Sequence, residues 1–189
     1  MNTQGNTYTV IYASVLVIVV AAGLSIASIT LKPQQEKNVE IEKKQNILSS
    51  VQLGLDANQE SNKSKYIEDL YYKYIKETFI VNYKGIRVEG QAFAVDIKKE
   101  TAKPIESRLL PVFVCTNDDS TKNYIFPVYG RGLWGPIWGY IALKDDLNTI
   151  KGAIFDHKGE TPGLGAEINT PVFQSQFVGK QLFDNDKFV

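Results

Sequence analysis

The sequence predicts an α+β protein carrying an N-terminal transmembrane helix, and three observations support this. Every residue from Met1 to Leu31 is uncharged. Residues 64–79 place apolar side chains at helical spacing, and from Ile80 onward the period changes to two. Helices first and a run of strands after them indicate an α+β class rather than alternating βαβ units. The organisation expected is a membrane anchor over residues 1–32, a helical connector and amphipathic helix over 33–79, and an antiparallel-type α+β domain over 80–189.

Tyr8 to Leu31 is apolar on all sides. As a helix it is roughly 36 Å long at 1.5 Å per residue, enough to cross a hydrocarbon core. Tyr8 and Tyr12 suit the interfacial belt at one end, and Lys32 marks the other. The absence of a basic leading region and the length of the apolar run argue against a cleaved signal peptide. Residues 33–62 are polar, with Val39, Ile41, Ile47, Leu48 and Val51 at imperfect helical spacing, and Gly54 with Asp56–Asn58 ends that segment. Ile67, Leu70, Tyr71, Tyr74 and Ile75 form the apolar stripe of a second helix over 64–79.

Strands are expected at 80–83, 87–90, 92–97, 109–116 and 124–128, with turn residues between them. Residues 138–143 and 149–155 form a further pair joined by Lys144–Asn148, and 171–179 reads as helical with Pro171 near its start.

Charge excludes some functions. The 21 basic residues balance the 21 acidic ones, which gives no support to nucleic-acid binding. One Cys and one His exclude the usual zinc sites and a disulfide within the chain. Cys115, in an apolar strand-like run, reads as a buried thiol. His157 lacks a nucleophile partner in motif context and reads as a solvated loop residue. No phosphate-cradling Gly-x-x-x-x-Gly-Lys loop and no Gly-x-Gly-x-x-Gly turn occurs, so a nucleotide site of either type is not expected in residues 1–189.

Two motifs remain. The stretch from His157 to Ile168 holds Gly159, Gly163, Gly165, Pro162, Glu160 and Glu167 directly after a strand. Glycines permit positive φ and close backbone approach, and Pro162 stiffens the turn, so a flat or anionic ligand is well served there. A simple Pro-Gly turn between strand and helix is the alternative. Upstream, Gly130-Arg131-Gly132-Leu133-Trp134-Gly135 offers backbone donors, a guanidinium and two apolar side chains; core or partner packing of Trp134 is the competing reading.

In this order, with Asp146–Gly152 between them and Val178–Leu182 after, these motifs resemble the C subunit of the Na+-translocating NADH:quinone reductase of bacterial membranes. The Gly-Glu-Thr-Pro-Gly-Leu-Gly core is also similar to the G subunit of the Rnf complex, whereas Gly130–Trp134 looks like the quinone reductase alone. The resemblance implies an FMN-binding type of domain, an electron-relaying flavoprotein, and Glu160, Thr161, Gly163, Leu164 and Gly165 lining FMN. It implies as partners the other subunits of that complex, membrane lipid and a flavin transferase. It also implies a single pass through the inner membrane with the domain on the periplasmic face. The positive-inside rule, counting Lys32, Lys37, Lys43 and Lys44, favours the opposite orientation.

In the family FMN is joined to a Thr of a Ser-Gly-Ala-Thr-type motif. No such motif occurs in residues 1–189, so the covalent-attachment Thr is absent from this chain and its C-terminal part is expected to be missing. An Rnf-type subunit and a flavin-free anchored assembly module are the alternatives.

Overall fold

The computed structural model describes residues 5–184 and 187–188. The chain divides into two units, Met1–Ile41 and Glu42–Val189.

Helix α1, Asn6–Ser50, supplies the described residues of the first unit after Gly5 and runs on into the second. Pro33 lies inside it without ending it. Its apolar side chains from Val10 to Leu31 are exposed, and the helix is long and apolar enough to cross a membrane. A helix that shows Val, Ile and Leu on every face has no protein core to bury them in, and lipid is the solvent that suits it.

The second unit is built on a six-stranded antiparallel sheet in the order β2-β1-β3-β4-β5-β6. The strands are β1 Ile75–Asn82, β2 Arg87–Val88, β3 Leu109–Thr116, β4 Lys122–Arg131, β5 Pro136–Lys144 and β6 Ile150–His157. A separate pair, β7 Phe183–Asp184 and β8 Lys187–Phe188, closes the described chain.

Helix α1 stops by a Schellman arrangement. Gln52 adopts φ 66°, Leu53 N–H donates to Leu48 O at 3.0 Å, and Gln52 N–H donates to Ser49 O at 2.9 Å. The stop therefore falls two residues before Gly54, whose own positive φ serves the following turn. Helix α2, Lys63–Tyr74, is capped by the Asn62 side chain accepting from Lys65 N–H at 3.1 Å. It ends five residues short of the span that helical spacing predicts. Ile75–Phe79 begin β1 instead, because Thr78, Ile80 and Val81 are β-branched and pair along β3, Ile75 opposite Cys115 and Ile80 opposite Pro111.

The strand expected at 92–97 is absent. Ala92–Ala94 form a 3-10 turn, and Asp96 then caps α3, Ile97–Thr101, by accepting from Lys98 and Lys99 N–H. Local side-chain capping wins here over the alternating pattern. Buried Glu100 accepts from Lys103 Nζ at 2.7 and 2.9 Å and from Leu109 N–H at 3.0 Å, which fixes α3 against the start of β3. The helix expected at 171–179 is shorter: α4 covers Pro171–Ser175, and turns follow.

The core lies between the sheet and the helical segments. Ile47, Leu48, Ile67, Phe113, Ile125 and Ala142 have no exposure. Phe93 links the layers edge-on, 6.0 Å from Tyr71 and 6.4 Å from Phe113. Lys43 donates to Phe93 O and lies over that ring, and burial lowers its pKa. Lys44, 2% exposed, pairs with Glu68 at 3.6 Å over the Tyr72 ring. These two lysines of the α1 end are part of the folded domain. Among the seven strands expected from Ile80 onward, 109–116 is reproduced residue for residue, while β4 and β5 extend beyond their predicted ends.

Cys115 is fully buried, and burial pushes its thiol up to about 11. At pH 8 its alkylation in the native protein is expected to be at least about 100-fold slower than that of a free thiol of ordinary pKa. Mass spectrometry after timed iodoacetamide treatment checks this; rapid native labelling would contradict the buried placement.

Candidate functional site

Strands β4 and β5 form a long hairpin, registered from Asn123 opposite Lys144 to Arg131 opposite Pro136. Its tip is Gly132-Leu133-Trp134-Gly135, closed by Gly132 N–H donating to Gly135 O at 2.7 Å. Leu133 and Trp134 are 83% and 70% exposed. Trp134 is thus no core plug, and Trp138 is half-buried.

The glycine motif folds back onto this tip. Strand β6 lies beside β5, and Lys158 N–H donates to Pro136 O at 3.0 Å. The chain then turns so that the Glu160 side chain reaches the tip: Oε1 accepts from Trp134 N–H at 2.9 Å and Gly135 N–H at 3.2 Å. Glu160 is buried, and its carboxylate sits between two glycines. A Cβ on Gly132 would collide with Oε1, and one on Gly165 would lie 2.7 Å from Oε2. Gly165 is therefore needed for space rather than for positive φ, whereas Gly163 has φ +74°.

The turn beyond is braced from within. Thr161 O accepts from Leu164 N–H at 3.1 Å and Ala166 N–H at 3.2 Å. Glu167 accepts from Gly163 N–H at 3.1 Å. Thr161, Gly163 and Leu164 are all exposed, Leu164 by 73%. His157 is half-buried rather than solvated: its Nδ1 accepts from Glu160 N–H at 3.1 Å, and Nε2 lies 3.5 Å from the Asn169 carboxamide. The atom of Asn169 that faces Nε2 is its Nδ2.

Beneath the turn, Phe155, Phe173 and Phe177 make an aromatic cluster with centroids 5.2–6.3 Å apart. Gln174 ties it down by donating to Phe155 O at 3.0 Å and Ile168 O at 3.2 Å. Gly139 permits this packing, since a Cβ there would strike Ile154 O and lie 2.9 Å from Phe155. Sequence reading missed this cluster and the Asn169 contact; neither has a local pattern that marks it.

Two hollows flank the hairpin end. One of about 300 Å³ is lined by residues 129–136. The other, about 210 Å³, is apolar and lined by Val128, Tyr129, Gly130, Ile137, Trp138 and Phe155. Arg131 is exposed and makes no ion pair among the described residues. Exposed Leu133, Trp134 and Leu164 suit a flat ring system, and the Arg131 guanidinium suits a phosphate. The residues present therefore fit a flavin mononucleotide.

The FMN-binding domain family matches residues 132–188, from the hairpin tip through β5, β6 and the glycine turn. The C subunit of the Na+-translocating NADH-quinone reductase of Vibrio vulnificus is 32% identical over 179 residues, covering 86% of this chain and 68% of its own length. The same subunit of Vibrio anguillarum is 30% identical and covers 98% of this chain and 76% of its own. The chain belongs to the family of the C subunits of Na+-translocating NADH-quinone reductases. The crystal structure of the C subunit of Parabacteroides distasonis is similar at TM-score 0.73 and 43% identity, covering 84% of this chain and 74% of that one. The α+β class with a long apolar N-terminal helix and an antiparallel sheet agrees with that neighbour, and these relatives favour the quinone reductase family over an Rnf-type subunit.

Gly139→Ala is expected to lower the stability of this family's fold by about 1–3 kcal/mol through overpacking against β6. Urea unfolding followed by circular dichroism measures it, and an unchanged midpoint would contradict the close approach of the two strands.

Proposed function

We propose that this chain is a membrane-anchored electron-relay subunit that holds FMN at the tip of the β4–β5 hairpin. It would serve a complex that oxidises NADH, reduces quinone and exports Na+. The observation that carries this reading is the match to the FMN-binding domain over the residues that form the tip and the glycine turn. Bound FMN supplies the redox chemistry, accepting and passing on electrons. The chain's own residues do the rest. Thr161, Gly163, Leu164 and Gly165 shape the turn that lines the flavin, and Glu160 supports that lining from beneath. Leu133 and Trp134 limit water at the ring, and Arg131 offers a charge to the phosphate.

Residues 1–32 serve as the lipid-embedded anchor in this reading, and 42–189 as the flavin domain. The other subunits of the complex are its partners. Covalent attachment of FMN by a flavin transferase, through a Thr of a Ser-Gly-Ala-Thr-type motif, is part of the proposal; that motif does not occur within 1–189. We place the domain on the periplasmic face. The charge argument against that placement is weakened because two of its four lysines, Lys43 and Lys44, are taken up by the folded domain.

One experiment tests these points together. The full-length gene product is expressed with its flavin transferase, and right-side-out membrane vesicles are run on a denaturing gel with and without external protease. A flavin-fluorescent band that the protease removes is expected. A dark band would sink the flavin relay, and a fluorescent band protected from protease would reverse the orientation.

A further inference from the structure

Glu160 stands apart from the other residues of the glycine turn. It is 8% exposed, while Thr161, Gly163 and Leu164 face solvent. Its Oε1 is already shared by two backbone donors, Trp134 at 2.9 Å and Gly135 at 3.2 Å. Gly132 and Gly165 leave the carboxylate its space from opposite sides. Its own N–H is held by His157 Nδ1 at 3.1 Å. No lysine, arginine or histidine forms an ion pair with it among the described residues. The group is thus held by backbone donors and aimed at the neighbouring loop.

We infer that Glu160 is a positioning residue: it ties the hairpin tip to the glycine turn and sets where Trp134 and Leu164 stand against the flavin, without touching the flavin itself. This inference rests on the flavin reading above. The tie works through hydrogen-bond acceptance and shape. A neutral carboxamide oxygen at the same place accepts the same two N–H groups, whereas truncation to Ala frees both donors and opens the space between the glycines. Gly165→Ala breaks the tie from the other side, because the added Cβ meets the carboxylate at 2.7 Å and the Glu160 Cβ at 3.1 Å.

The test uses the full-length flavin-loaded protein with Trp138→Phe and any tryptophan outside residues 1–189 likewise replaced by Phe, which leaves Trp134 as the single tryptophan. Glu160→Ala, Glu160→Gln and Gly165→Ala are compared by the fluorescence anisotropy decay of Trp134 and by the visible absorption maximum and midpoint potential of the flavin. Glu160→Ala and Gly165→Ala are expected to speed the local Trp134 decay and to shift the flavin maximum and potential. Glu160→Gln is expected to return all three to their original values. The inference is overturned if Glu160→Ala leaves the decay and the flavin signals unchanged, or if Glu160→Gln shifts them as Ala does. Absence of flavin from the unsubstituted protein would sink the functional reading instead, and the Trp134 decay in that protein would still decide whether the tie exists.

Discussion

A buried carboxylate that accepts two backbone N–H groups is the constraint on which the candidate site depends. Glu160 joins the turn at Thr161–Gly165 to the tip at Trp134 and Gly135, which lie 26 and 25 residues before it in sequence. Everything nearby is cut to admit it. Two glycines give it room, the His157 ring holds its backbone, and the Phe155 cluster supports the strand from which it departs. Buried polar groups cost free energy unless satisfied, so the loops must stay close for the carboxylate to stay bonded. The result is a pair of loops tied by hydrogen bonds that present the exposed side chains of Leu133, Trp134 and Leu164.

Much of this was legible in the sequence. The strand at 109–116 was readable because a run of apolar and β-branched residues between turn signals has few alternatives. The long apolar N-terminal helix was readable from length and charge alone. The glycine turn was recognised, but the reason for Gly165 was not: sequence suggests backbone freedom, and the structure shows a missing Cβ against Glu160. The failures share a cause. Ile75–Phe79 satisfy helical spacing with α2, yet pairing with β3 overrides that preference. Residues 92–97 alternate like a strand, yet the Asp96 cap starts a helix. Register and capping depend on partners that local periodicity does not contain.

The lysines after the anchor illustrate the same point. As sequence, Lys43 and Lys44 are two positive charges beside a membrane span. In the structure one lies over Phe93 and donates to its carbonyl, and the other is enclosed by Glu68, Tyr71 and Tyr72. Their long aliphatic stems suit such burial, and their charges serve the fold.

In our proposal the flavin lies at the Trp134 end of the hairpin. The opposite end, about 26 Å away along eight residues of strand, carries a polar hollow lined by residues such as Asn117, Asn123, Lys144 and Lys151. The most direct test of that placement compares amide ¹H–¹⁵N spectra of the protein with and without FMN. Shifts concentrated in residues 130–135 and 160–167 are expected. Shifts concentrated at 117–123 and 144–151, with the tip and the glycine turn unmoved, would contradict it.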